Sequence, residues 1–259
     1  DDFKAYLCEI LERVYKYHIA FKTLLYETEA AGMLNASTAG YIKMNKLYST
    51  IGENGINEAA EFVGLTCNYN EDYKNFCRLI TGTISEQNKL HGKKNFLFNQ
   101  EFVPAEGLSS KNYRWDKADG YWVPSDRVLY NSYFYLAEDV NTSVLDKFRL
   151  HGREFTELLD GGVGLHCNLD EHLSKEQYLK LIDFAIANGT SYFTFNVPNS
   201  ECKNPECHHI VKTPMTVCPK CGAPMRQWTR VIGFLRPIDG FDKYRHIEAQ
   251  NRYYAKEVK

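Results

Sequence analysis

The stretch from Ser200 to Met225, SECKNPECHHIVKTPMTVCPKCGAPM, constrains this chain more than any other. It holds four of the eight cysteines: Cys202 and Cys207 with four residues between them, Cys218 and Cys221 with two. Tetrahedral zinc takes four soft or borderline ligands at about 2.3 Å, and two short-spaced pairs on turns supply them. The second pair has the form of a knuckle, in which Gly222 permits the tight backbone that aims both sulfurs inward. The longer first spacing leaves His208 or His209 as a substitute for Cys207, since imidazole also suits zinc. The alternatives are two disulfides, which the lack of an opening secretory signal disfavours, and a redox CxxC, which the earlier pair disfavours. Four protein ligands leave no open position. The expected zinc is therefore structural, ordering a segment too short to build its own core.

The other cysteines, Cys8, Cys67, Cys77 and Cys167, are scattered. Scatter plus one cluster points to a reducing compartment, the cytoplasm, with the scattered thiols as small buried hydrophobes. The 259 residues are 44% hydrophobic and 25% charged, enough for one large domain or one domain with a small appendage. A net charge of −2 gives no basic field, so nucleic acid is not an expected partner. No apolar run nears the roughly 20 residues that span a bilayer. Residue 1 is Asp, and the first thirty residues read as a helix already under way, with Phe3, Leu7, Ile10, Leu11, Val14, Tyr17, Phe21, Leu24 and Leu25 at three- and four-residue spacing. The expectation is a piece of a longer chain whose N-terminal part is missing.

Further elements follow from pattern. Tyr48 to Ile51 suggests a strand, Gly52 and Gly55 a turn, Ile56 to Val63 a helix, and Asn70 to His91 a long helix. Asn95 to Phe102 suggests a strand stopped by Pro104, and polar Ser109 to Trp122 a loop. RVLYNSYFYL reads as extended, and Asn141 to Leu159 as a helix capped by Thr142 or Ser143. A glycine-led strand, DGGVGLHCNL, precedes a helix from Ser174 to Gly189 with a capping signal, then the strand SYFTFNV. Strands alternating with helices favour an α/β layout with parallel strands. Composition shifts at about Pro198, where a small module begins.

Past the cysteines comes TRVIGFLRPIDGF, Thr229 to Phe241, in which Gly233 interrupts a strand-like run. Alone it reads as a bulge or turn glycine. The order of four cysteines, Arg230, Val231, Gly233, Phe234 and Leu235, then the charged tail FDKYRHIEAQNRYY, resembles the C-terminal part of anaerobic (class III) ribonucleoside-triphosphate reductases, a family of glycyl radical enzymes. LYSTIGENGINEAAEFVG, LFNQEFVPAEGLSSKN, GGVGLHCNLDE and YFTFNVPNSEC also resemble family segments, so the likeness covers essentially the whole chain. Phe234 stands where the family usually has Tyr.

The resemblance implies an α/β fold: residues 1–197 as the C-terminal part of a glycyl-radical-type α/β barrel, 198–226 as the zinc module on Cys202, Cys207, Cys218 and Cys221, and 227–259 as the glycyl radical loop and tail. It implies that Gly233 stores the radical, generated by an iron–sulfur activating enzyme that uses S-adenosylmethionine. A glycine suits this, because only glycine lacks a side chain to force the α-carbon out of plane or block approach. It further implies ribonucleoside triphosphates as substrates, formate as the usual reductant (a thiol system in some relatives), and a homodimer. The radical would pass to a cysteine upstream of Asp1; Cys8, Cys67, Cys77 and Cys167 lie in no matching motif. Glu101 and Glu106 flank a turn at the end of a barrel strand, and His166 and Asn168 lie in LHCNLDE; substrate positioning and ordinary turn or packing roles both stay open for them. The rival readings are another glycyl radical enzyme, of the formate-lyase or diol-dehydratase type, and a non-enzymatic zinc-ribbon interaction domain.

Overall fold

The structure, a computed structural model, describes residues 2–103, 107–231, 233–256 and 258. Glu106 lies outside them. In chain order the elements are α1 (Asp2–Ala30), α2 (Asn35–Thr38), β1 (Tyr48–Glu53), α3 (Ile56–Phe62), α4 (Glu71–His91), β2 (Leu97–Phe102), α5 (Leu108–Ala118), α6 (Val144–Leu150), α7 (Arg153–Thr156), β3 (Leu165–Asn168), α8 (Lys175–Asn188) and β4 (Phe193–Asn196). Then come β5 (Asn199–Cys202), β6 (Ile210–Val211), β7 (Met225–Val231), β8 (Phe234–Pro237) and α9 (Lys243–Asn251).

β1 pairs with β2 and β3 with β4, both in parallel. The two pairs are joined where the glycine-led approach to β3 meets β2: Gly161 N–H donates to Gln100 O at 2.8 Å, and Phe102 N–H to Gly162 O at 3.1 Å. A Cβ on Gly161 would lie 2.6 Å from Gln100 O, so only glycine allows this approach. β1–β2 and β3–β4 are thus two separate parallel pairs, linked by the parallel bridge of Glu101 with Gly162 ahead of β3, with helices in the connections. The main core lies between these strands and their helices, with Tyr73, Phe134, Tyr135, Phe148, Phe155 and Leu165 all 0% exposed. Cys67, Cys77 and Cys167 are buried in it. Burial pushes the thiols of Cys77 and Cys167 up to about 12, so they remain protonated packing groups.

Caps explain several boundaries. The Asn70 side chain accepts from Tyr73 N–H at 2.9 Å to start α4, and Ser174 with Gln177 forms the capping box of α8, which Gly189 ends at φ 73°. Four expectations are corrected. Ser109 to Trp122 is not a loop, because α5 covers most of it; the helix turns only Ser109, Ser110 and Tyr113 inward, too few apolar residues to leave a periodic signal. The helix expected from Asn141 to Leu159 breaks after Leu150. There the His151 ring bonds Lys147 O at 2.8 Å, and a Cβ on Gly152 would lie 2.8 Å from Asn188 O. Gly52 belongs to β1 rather than to a turn. The segment from Arg127 to Leu136 forms no strand. Side chains hold its backbone instead: Asn57 Nδ2 donates to Tyr133 O at 3.0 Å and Tyr73 Oη to Phe134 O at 3.0 Å. In α1 only Leu11, Tyr15 and Lys22 are buried, while Tyr17 and Phe21 on its apolar positions are exposed.

Candidate functional site

After β4 the chain enters a four-stranded antiparallel sheet ordered β6-β5-β7-β8. β7 is its spine. Met225, at its start, packs against Cys202 and Cys218. At its end Val231 pairs with Phe234 across the turn that carries Gly233. The four thiols of Cys202, Cys207, Cys218 and Cys221 lie within 4.8 Å of one another. Cys202 and Cys221 have their sulfurs 3.4 Å apart, Cys207 and Cys218 3.9 Å. Thiolates at about 2.3 Å from a tetrahedral ion would stand roughly 3.8 Å apart, so the set fits a metal such as zinc. Asn204 N–H points at Cys202 Sγ at 3.4 Å. Neither histidine considered above belongs to this group of four. His208, at φ 44°, turns toward Glu201, with Nδ1 3.6 Å from its carboxylate. Glu201 also accepts from Arg226 Nε and Trp228 Nε1, each at 2.9 Å.

Gly233 has φ 81°, in the left-handed region where glycine is at ease. Its N–H donates to His166 Nε2 at 2.8 Å, and its carbonyl accepts from an Arg230 guanidinium nitrogen at 2.6 Å. Arg230 Nε also donates to Phe195 O at 3.0 Å, tying the loop to β4. A Cβ on Gly233 would lie 2.8 Å from Tyr192 Oη, so that hydroxyl covers the side of the α-carbon where a side chain would project. The Tyr192 ring in turn lies on Gly164, where a Cβ would stand 3.0 Å from Cδ1. Behind them is a cavity of about 360 Å³, lined by Glu101, Ser132, Tyr133, His166 and Tyr192 among others. Burial, then the nearby charge of Arg252, pushes His166 down to about 3, so its ring is neutral. Since Nε2 accepts from Gly233, Nδ1 carries the hydrogen and faces Tyr133 Oη at 3.0 Å. Burial raises Glu101 above the usual carboxylate range.

The tail closes over this arrangement. Arg252 donates to Arg230 O at 2.8 Å and is held by Glu248 through Nε at 2.9 Å and a terminal nitrogen at 2.8 Å. Buried Asn196 accepts from Arg230 N–H at 3.0 Å and donates to Asn168 Oδ1 at 2.7 Å. Asn168 therefore works in the joint between β3, β4 and β7 rather than in the cavity. Reading the sequence singled out Gly233 and His166 separately. It missed Tyr192, Arg230 and Arg252 as their partners. Only Arg230, three residues before the glycine, offered a local hint.

A family model for anaerobic ribonucleoside-triphosphate reductase matches residues 1–254. The chain belongs to that family. Solved structures agree. An anaerobic ribonucleotide reductase matches with TM-score 0.89 at 27% identity, over 99% of this chain and 42% of that one. The anaerobic ribonucleotide reductase from Thermotoga maritima in complex with dATP and CTP matches with TM-score 0.82 at 26% identity, over 95% of this chain and 41% of that one. The same Thermotoga maritima enzyme with glycerol in the active site matches with TM-score 0.81 at 26% identity, over 95% and 40%. The chain thus spans about two fifths of the length of these reductases. A search of curated proteins found no significant match. No described helix is long and apolar enough to cross a membrane.

Proposed function

We propose that this chain is the C-terminal portion of an anaerobic ribonucleoside-triphosphate reductase and that Gly233 stores its radical. Residues 1–197 then contribute strands to the catalytic barrel, 198–226 form the zinc module, and 227–259 carry the glycyl loop and tail. The observation that carries the reading is the setting of Gly233, whose peptide groups are both bonded to side chains, one of them the cavity-lining His166, just past a strand that begins in the four-cysteine cluster. A structural turn glycine needs none of this. A zinc-ribbon interaction domain has no use for the cavity, and a lyase or dehydratase has none for the cysteine cluster ahead of the loop.

In this proposal an activating enzyme of the S-adenosylmethionine type supplies a carbon radical that takes one hydrogen atom from the Gly233 α-carbon. The chain's own share is positional. His166 and Arg230 hold the loop, Tyr192 covers one side of the α-carbon, and the cavity receives the reacting groups. Zinc on Cys202, Cys207, Cys218 and Cys221 would be structural. The Thermotoga maritima relative's complex with dATP and CTP supports a nucleotide substrate; formate would be the reductant. The cytoplasm and a homodimer complete the picture. The test is electron paramagnetic resonance after anaerobic activation. We expect a doublet that Gly233→Ala abolishes and Gly120→Ala spares; Gly120 has nearly the same φ, 80°, and open space around it, so it matches the backbone strain. A doublet surviving Gly233→Ala sinks the assignment. Cys218→Ser should lower bound zinc, and unchanged metal content removes the zinc module.

A further inference from the structure

Buried His166 is fixed at three points, two on its ring and one on its backbone. Nε2 takes the Gly233 N–H at 2.8 Å, Nδ1 faces Tyr133 Oη at 3.0 Å, and the residue's own carbonyl accepts from Tyr135 Oη at 2.8 Å. The two hydroxyl partners, half-buried Tyr133 and fully buried Tyr135, are stacked on each other, with ring centroids 5.2 Å apart. Such a frame exceeds what a surface hairpin turn requires. On the far side of the same α-carbon, Arg230 places a positive charge on the Gly233 carbonyl. The two flanking groups of one glycine are thus polarised in opposite senses.

We infer that His166 is a positioning residue for the stored radical: it anchors the Gly233 nitrogen and, with Arg230 on the carbonyl, favours the unpaired electron at that α-carbon. The inference rests on the reading of Gly233 given above. A radical at a glycine α-carbon is shared between an electron-donating amide nitrogen and an electron-withdrawing carbonyl. A neutral imidazole accepting the N–H leaves more electron density on that nitrogen. A guanidinium on the carbonyl oxygen strengthens its pull. Both bonds also hold the atoms on either side of the α-carbon while it flattens, which limits reorganisation of the loop. His166 moves no proton. The hydrogen atom leaves with one electron to the activating enzyme's carbon radical, the other electron stays on Gly233, and both ring nitrogens keep their partners.

The test uses the active reductase with its activating enzyme. With histidine labelled with ¹⁵N, pulsed electron–nuclear double resonance on the wild-type radical should show coupling to a ring nitrogen. His166→Phe should remove that coupling and lower the radical per chain about tenfold, the effect of one lost buried hydrogen bond. His166→Gln, whose amide oxygen can accept the N–H, should restore part of the yield. A strong wild-type doublet without nitrogen coupling overturns the inference, as does His166→Phe with unchanged yield and lifetime. Should His166→Phe fail to fold, judged by zinc content and near-ultraviolet circular dichroism, the wild-type coupling decides alone. Absence of any wild-type doublet would instead count against Gly233 as the radical site.

Discussion

Glu248→Gln tests whether the C-terminal helix clamps the glycine strand. Glu248 and Arg252 are 4% and 8% exposed. The carboxylate takes two hydrogen bonds from Arg252, at 2.9 and 2.8 Å, and one from Arg245 at 3.3 Å. Burial alone would raise its pKa, but the charges and hydrogen bonds of Arg252 and Arg245 more than offset this and hold the carboxyl below its ordinary range. Glutamine keeps the shape and removes the charge, leaving Arg252 as a buried cation whose acceptors among the described residues, the new amide oxygen, Thr229 Oγ1 and Arg230 O, are all neutral. Removing one partner of a buried pair typically costs about 3–5 kcal/mol. The remaining acceptors put the expected loss at the lower end, about 3 kcal/mol. For a chain of this size that is a fall in Tm on the order of 10 °C.

Thermal melts of wild type and variant at pH 7 measure it. Glu248→Leu combined with Arg252→Met removes both charges and should cost no more than Glu248→Gln alone. A depressed carboxyl contributes stability that is full above the unfolded value, about 4.3, and is lost as pH falls toward the folded value. The gap between wild type and Glu248→Gln should therefore narrow below about pH 4. A loss under about 1 kcal/mol at pH 7, or a double variant far worse than the single one, would show that the ion pair does not hold β7.

Two further outcomes are expected. Burial raises Glu53, at the end of β1, to about 8, and neither of its carboxylate oxygens has a hydrogen-bond partner among the described residues. Its raised folded pKa costs nothing at acid pH and destabilises the fold progressively as pH climbs from the unfolded value, about 4.3, toward the folded one, so Glu53→Gln should leave stability unchanged near pH 4 and raise it by roughly 4–5 kcal/mol at pH 8, read by denaturant titration at both; equal gains at both pH values would refute the burial argument. Gly161→Ala places a methyl 2.6 Å from Gln100 O and 3.0 Å from Glu101 Cβ, so β2 and β3 must part, at about 1–3 kcal/mol, with slower radical formation as the cavity shifts; a variant as stable as wild type would mean that the strand approach is slack.

The α/β alternation with parallel strands, the extent of α4 and the cap and stop of α8 were legible because each has a local cause: period, a polar cap, a terminal glycine. α5 was not, since its stability comes from a few inward contacts such as the Tyr113 hydroxyl on Pro124 O at 3.1 Å. Nor was the break at Gly152, which depends on Asn188 thirty-six residues away closing the space a side chain would need. At the site, the spacing of the cysteines announced their convergence. The bond from Gly233 to His166 spans 67 positions. No periodicity encodes such a contact, so each residue was visible while their pairing was not. Tyr192 was visible only as an alternating strand residue, and its role over Gly233 comes from the loop folding back.

The cluster and the glycine lie at opposite ends of one strand, and that fixes what a metal there can do. Seven residues of β7 span roughly 20 Å, too far for an ion at the cysteines to touch chemistry at Gly233. Yet β7 is paired along its length, with β5 on one side and β8 on the other. β5 follows directly on β4, whose Phe195 carbonyl anchors Arg230. A staple at the cysteines therefore sets the register of β5 against β7, and a one-residue slip there would turn Arg230 to the opposite face and carry Gly233 off His166. Chelation should accordingly lower the radical yield while leaving the parallel-strand core folded. If stripping the metal instead unfolds the core and the loop together, the cluster is part of the global fold and the strand is not acting as a separate arm.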